Sequence, residues 1–436
     1  MMRSFKAALA CLLICGSAAA QVSPAAPSAV PPAPPERPIT LEEAYALTLK
    51  RSETIAADLD AVKQALARVD ELRSDIMPHV SFIGQETFQE SPHSGIASVD
   101  HTSIPLYQFQ ATQPLFSGFR EFLAFKSGKK TAESLRLTER RAESLLYQDV
   151  TQAYLNVLQI RNEIEIRGEI IKATSERIDQ LRHWVKIGRS RESEVLAARS
   201  QLAQTEAQVE LARGSERVAQ EALRFLTGVD AVFAPQPLTA PTTGPIDAYL
   251  SRARARDDVQ ASERNLEAAR LNTQIAARQR WGTVGLTADY YLKRLGLTAN
   301  THYDAVLGLN LPLFDGGVIS AQTREAKAAA DSAAQSLSAA QRGAERDTRT
   351  AYVNLASALQ SVSALQTADE LAADNVKAQE QDYKLSLVTN LDVLDSLNTL
   401  QATRLLLNSA RQQAQLARAQ LEVAAGGPDR PAQEPR

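Results

Sequence analysis

Hydrophobic positions along this chain follow two periods, and the switches between them mark out its elements. Val284, Leu286, Ala288, Tyr290 and Leu292 alternate with Thr283, Gly285, Thr287 and Asp289. Tyr303, Ala305, Leu307, Leu309 and Leu311 alternate with Asp304, Gly308 and Asn310. A third run sets Tyr107, Phe109 and Ala111 against Gln108, Gln110 and Thr112, and a fourth, His79 to Glu90, is the least regular. Period-two alternation predicts four β-strands. Each is about ten residues long, the length a tilted membrane strand needs, with aromatic residues near several ends. A half-buried sheet in a soluble domain fits the same alternation.

The rest of the chain reads as helix. Thr40 followed by Glu42 and Glu43 starts a helix that is expected to run to about Met77, where Pro78 stops it. From Gly118 to Ile187 there is no proline, and only Gly128 and Gly168 interrupt the run. At about 1.5 Å per residue that stretch spans roughly 105 Å, far more than a compact domain uses. Beyond Gly188 the chain continues helically to about Thr227. Val195, Leu202 and Val209 keep a sevenfold spacing with Ala198, Thr205 and Ala212 between them. Val393, Leu400 and Leu407 do the same, with Ser396, Thr403 and Ala410. This is a coiled-coil seam with small side chains at one of its two positions. An ordinary antiparallel bundle accounts for the seam equally well, but not for its coupling, twice, to paired strands.

The chain is written twice. Gln113-Pro114-Leu115-Phe116-Ser117-Gly118 recurs as Leu311-Pro312-Leu313-Phe314-Asp315-Gly316, at an offset of 312 − 114 = 198. The same offset pairs Ala153-Tyr154 with Ala351-Tyr352, Asn156 with Asn354, Val195-Leu196 with Val393-Leu394, and Leu202 with Leu400. Upstream, Ile55 to Met77 matches Val259 to Trp281 at an offset of 204, so the second copy is about six residues shorter between the two blocks, and its loop Lys293 to His302 is shorter than the counterpart Ser91 to Ser103. Each half is helix, strand, loop, strand, very long helix, and each motif sits where a strand gives way to a helix, at Pro114 and Gly118 and at Pro312 and Gly316. Four strands cannot close a barrel, because the smallest outer-membrane barrels have eight. Open edges must pair with other copies; two, three or four chains would give eight, twelve or sixteen strands.

Composition narrows the options. A formal charge of −3, from 48 basic and 51 acidic side chains, argues against a nucleic-acid partner. Arg3 and Lys6, the apolar stretch Ala7 to Ile14, and Ala18-Ala19-Ala20 before Gln21 read as a signal peptide over 1–20. Both cysteines, Cys11 and Cys15, fall inside it, and Ile14 disfavours lipid attachment at Cys15. A Pro- and Ala-rich leader covers 21–39, the first repeat 40–227 with its hairpin at about 79–116, a linker 228–245, the second repeat 246–426 with its hairpin at about 282–314, and a disordered tail 427–436. His79, His93, His101, His183 and His302 have no metal-binding spacing, and no phosphate loop, nucleophile elbow or zinc-protease motif occurs. No catalytic residue, cofactor or metal is expected.

On the two Pro-Leu-Phe motifs, the segment Asn390-Leu-Asp-Val-Leu-Asp395 just after a helical turn, and the duplication, the chain resembles the TolC family of outer-membrane factors from about Thr40 to Gly426. The resemblance implies a fold that is mainly α with a β-barrel portion. In it, four membrane strands per chain complete a twelve-stranded barrel of a homotrimer in outer-membrane lipid, above a periplasmic tunnel of long antiparallel coiled-coil helices. It implies an exit duct that exports small molecules with an inner-membrane pump and a periplasmic adaptor; type I protein secretion and a periplasmic coiled-coil scaffold without a barrel are the alternatives. The tip turns then lie at Gly188 and at Ser386, Thr389 and Asn390. Asp392 and Asp395 fall where the family sets a ring of carboxylates at its constriction, Tyr383 where a tyrosine holds the gate, and Glu194 where its acidic partner stands. Val388 departs from the family, some members of which carry a gate-locking arginine there. At spacing i, i+3 the two aspartates share a helical face, and six such groups near one axis would raise some of their pKa values. The plain alternative is a solvated helix start, where Asp is common.

Overall fold

The computed structural model describes residues 36–90, 103–295 and 300–427. The expected signal peptide, the leader up to residue 35, most of the 91–103 loop and the tail from 428 lie outside the described residues.

The chain runs β1 (Glu36–Ile39), α1 (Leu41–Arg51), α2 (Glu53–Ser74), β2 (His79–Phe88), β3 (Ser103–Phe116), α3 (Arg120–Lys186) and α4 (Glu192–Thr227). It continues through β4 (Val232–Pro235), α5 (Ile246–Arg254), α6 (Asp257–Arg278), β5 (Thr283–Arg294), β6 (Tyr303–Asn310), α7 (Val318–Lys384) and α8 (Asn390–Ala424). The long helices α3 and α7 have 67 residues each. Their starts and their ends are both 198 apart (318 − 120 and 384 − 186), the offset of the sequence motifs. At about 1.5 Å per residue each extends roughly 100 Å.

Three short layers stack along these two helices. The four strands form one antiparallel sheet in the order β2-β3-β5-β6. Below it, α3 packs between α2 and α6, and α6 packs on α7. Farther down, α3 packs on α4 and α8, and α8 on α7. The waist between the two helical layers holds the largest apolar core, around Val150, Tyr154, Val157, Leu223 and Phe233. There the buried Tyr154 hydroxyl lies 2.9 Å from the Ile39 carbonyl and accepts the Gln236 N–H at 2.8 Å. Burial pushes its pKa up to about 12. No helix of the described residues is long and apolar enough to cross a membrane.

Three expectations from the sequence need correction. The helix expected from Thr40 to Met77 is two helices: Ser52 ends α1 with ψ 113° and caps α2, its hydroxyl accepting the Ile55 N–H at 3.3 Å. The second half breaks likewise at Arg256, 204 residues on (256 − 52). The end of the leader and part of the linker are ordered as strands β1 and β4, which pair in parallel and close the waist. Finally, Gln113–Phe116 does end a strand, but Leu311–Phe314 lies beyond β6. The central strand β3 finds Val284, Gly285 and Leu286 of β5 opposite its motif, whereas β5 begins at Thr283, opposite Asn310, so Leu311 onward pairs with no strand among the described residues.

Candidate functional site

The sheet has its faces the wrong way round for a soluble domain. Register places Phe82 opposite Phe109, Phe109 opposite Tyr290, and Tyr290 opposite Tyr303, one aromatic row across all four strands. These rings are 56, 46, 54 and 75% exposed. The successive rows Ala288 and Ala305, Leu286 and Leu307, and Val284 and Leu309 continue the same apolar face. The opposite face carries a polar cluster at its centre. Gln108, which is buried, and Gln110 both donate to Asp289 Oδ1, at 2.9 and 3.1 Å. The Tyr291 hydroxyl donates to Asp304 at 3.0 Å, and the Arg294 guanidinium lies 4.3 Å from the Tyr291 ring centroid. Apolar outside and polar inside is the inverse of a soluble half-buried sheet, and it is the pattern of a membrane barrel wall.

The junctions below the sheet turn on positive φ. Gly118 (70°) is followed by Phe119 (60°), and Gly316 (65°) by Gly317 (91°). A Cβ on Gly118 would come 3.0 Å from the Arg278 carbonyl, so only glycine fits there. Pro114 lies within β3, and Pro312 in the unpaired segment after β6. Asp315 opens α7 by accepting the Gly317 and Ile319 N–H groups at 2.9 and 2.7 Å, and these bonds hold its carboxyl below the ordinary range.

At the far end, α3 and α4 join through Gly188 (φ 76°), and α7 and α8 through Ser386 (φ 64°). The two turns share one pattern. Arg189 N–H bonds the Trp184 carbonyl and Leu387 N–H the Asp382 carbonyl, at 2.8 and 2.9 Å, each a six-residue closure of the Schellman type. Thr389 caps α8, and its backbone N–H and hydroxyl both donate to Asp392 Oδ2, at 2.7 and 2.6 Å. Those bonds hold the Asp392 carboxyl below its ordinary value. Asp395 is exposed one turn farther along the same helix. Within one chain, then, Asp392 performs the helix-start role that the sequence left open as the plain alternative.

Tyr383 and Glu194 meet. The Tyr383 hydroxyl donates to Glu194 Oε2 at 2.6 Å, and Ser190 donates to the same oxygen at 2.9 Å. Burial and the Glu194 carboxylate together raise the Tyr383 pKa. Asn390, buried at the start of α8, donates to the Glu194 carbonyl at 3.5 Å. Val388 is half-buried beside them. The sequence reading missed two members of this cluster, Arg177 and Trp184 on α3. The Arg177 guanidinium sits 4.0 Å from the Tyr383 ring centroid, and the Trp184 ring 5.2 Å from it. The packing reveals them: Ile170, Thr174, Arg177, Ile178 and Leu181 form one buried stripe of α3, with a single cation in it. Among the described residues no cluster of side chains could hold a metal ion.

A sheet with an apolar outer face and a polar inner one, carried on helices of about 100 Å, defines an outer-membrane barrel protein with a long helical extension. The chain belongs to the outer membrane efflux protein family, whose sequence profile matches residues 44–229 and 249–427. Its place is the outer membrane. It is 26% identical to the outer membrane protein TolC of Escherichia coli (strain K12) over 388 residues, covering 82% of this chain and 75% of that one. Against the outer membrane efflux protein BepC of Brucella suis biovar 1 (strain 1330) it is 25% identical over 333 residues, 72% and 70% of the two chains. The fold matches the crystal structure of VceC from Vibrio cholerae with a TM-score of 0.77 at 18% identity, over 89% of this chain and 96% of that one.

Proposed function

We propose that three copies of this chain form the outer-membrane exit duct of a tripartite efflux system, which exports small molecules delivered by an inner-membrane pump through a periplasmic adaptor. The observation that carries the proposal is that every layer of the chain stops at an open side. The sheet ends on β2 and β6, neither with a further strand among the described residues. The lower helical layer ends on α4 and α7. On α4, Leu211, Val218 and Phe225 stand exposed at sevenfold spacing, a seam with no partner among the described residues. Three copies joined side by side complete both layers at once, as twelve strands above twelve helices. Exposed open edges are a liability unless something covers them. The exposed aromatic row also disfavours a periplasmic scaffold without a barrel.

The two halves, 40–227 and 246–426, are then tandem copies that each contribute one hairpin to the wall. The tip is the gate: Tyr383 and Glu194 tie the α7–α8 pair to the α3–α4 pair, and Asp392 and Asp395 of three chains surround the narrowest passage. Signal-peptide cleavage after Ala20 delivers the chain to the periplasm. The test is conductance: protein purified in detergent and added to planar bilayers should form channels whose current is small in the closed state and blocked by divalent cations. Absence of any channel from folded, detergent-extracted protein would refute the duct.

A further inference from the structure

Arg177 is a cation placed where the packing asks for a hydrophobe. Its side chain is only 3% exposed, on the buried stripe of α3. Its Nε donates to Asn390 Oδ1 at 3.0 Å, and Asn390 is itself 2% exposed at the first turn of α8. Its guanidinium carbon lies 4.0 Å from the centroid of Tyr383 and 5.3 Å from that of Trp184. Nη1 and Nη2 are buried and donate to no acceptor among the described residues. Burial works against the charge and lowers its pKa, while the pull of Tyr383, Glu380 and Glu194 favours it.

A buried arginine usually answers a carboxylate, and where it does not, an apolar side chain of similar length packs at lower cost. What the charge gains here is contact with two other helices at once. The cation lies on the face of an α7 ring, an attraction that strengthens as water is excluded, and its Nε bonds the start of α8. The ring it touches is the one whose hydroxyl meets Glu194 on α4. One side chain of α3 thus contacts α7 and α8 directly and meets α4 through Tyr383.

We propose that Arg177 is the positioning residue of tip closure: its guanidinium, laid on the Tyr383 ring and bonded to Asn390, holds the α7–α8 turn on α3 so that the Tyr383 hydroxyl meets Glu194. The inference rests on the tip being the gate. Arg177→Met keeps the length and apolar bulk of the side chain but removes the cation and the donor. Arg177→Lys keeps the charge but loses the planar stack and the fixed Nε geometry.

The experiment compares the two variants with Tyr383→Phe as single channels in planar bilayers, alongside the melting temperature of each assembled protein. Arg177→Met should raise the open fraction about fivefold, the factor one cation–π contact of ordinary strength implies, and Arg177→Lys should fall between it and wild type. A lowered melting temperature with wild-type gating would show a packing role only and overturn the proposal. If Tyr383→Phe opens the channel and Arg177→Met does not, the gate stands and Arg177 does not position it. If neither variant changes the open fraction, the gate itself is misplaced. Should Arg177→Met fail to assemble, Arg177→Lys decides: leakier channels support the proposal, and wild-type closure ends it.

Discussion

The Tyr383 hydroxyl on α7 reaches the Glu194 carboxylate on α4 at 2.6 Å, joining two helices that are distant in the chain and separated by α3 and α8 in the layer. This bond crosses between the two halves of the sequence at the tip, where the long helices are farthest from the core at the waist. It acts together with the Asn390 bond to the Glu194 carbonyl and the stacking of Arg177 and Trp184 on the Tyr383 ring.

Tyr383→Phe removes only that donor. A hydrogen bond to a charged acceptor contributes about 1.5–3 kcal/mol, so the open fraction of the channel should rise roughly tenfold or more. Single-channel recording checks this, and unchanged closure would detach the bond from gating.

Replacing Asp392 and Asp395 together by Asn should weaken block by divalent cations from the tip side, measured as the blocking concentration in bilayers. Asp392 also makes a prediction in pH. Asp392 has its carboxyl held low by Thr389. A depressed carboxyl contributes stability above its unfolded pKa, near about 3.9, and loses it as pH falls through the lower folded value. The start of α8 should therefore loosen only below about pH 4, which hydrogen exchange of residues 390–394 would show.

Gly188→Ala isolates a conformational cost. Nothing lies within 4 Å of a Cβ built on Gly188, whose φ is 76°. The substitution should destabilise the α3–α4 turn by about 1–2 kcal/mol through backbone strain alone, read as a lower melting temperature in detergent. Ser386 already carries that strain in the matching turn, at φ 64°, so Ser386→Gly should not lower it.

Tyr154→Phe strips the waist of a buried hydroxyl that serves Ile39 and Gln236. The expected loss is about 1–3 kcal/mol by thermal or denaturant unfolding. In the wild type, a phenol whose pKa rises to about 12 on folding stabilises the protein while it stays neutral. That contribution is complete below the unfolded value near 10 and is lost as pH climbs from there toward 12.

The two faces of the sheet should respond oppositely to charge. Phe109→Arg puts a cation on the exposed aromatic row and costs about 2–4 kcal/mol if the row is near the bilayer midplane. Gln110→Arg points to the polar side and should insert normally. Comparing the outer-membrane fractions of the two variants is the measurement.

Much of the framework was readable from residue patterns, because long helices and alternating strands repeat one signal many times. The 198-residue offset alone located α7 from α3. What escaped the sequence reading was decided by single residues or by partners distant in the chain. Ser52 breaks a helix whose apolar period continues through the break. The strand Glu36–Ile39 exists only because Val232–Pro235 lies beside it. Leu311–Phe314 repeats the letters of a β3 segment but has no neighbouring strand among the described residues. At the tip, Tyr383 and Glu194 came from family resemblance, while Arg177 needed the packed structure to show that a charged residue faces inward.

If sister chains complete both the sheet and the helical layer, the native mass of the detergent-extracted protein is that of three chains. The particle should leave outer membranes only with detergent and be rich in both helix and strand signal by circular dichroism. A stable single chain that stays in solution without detergent would contradict it.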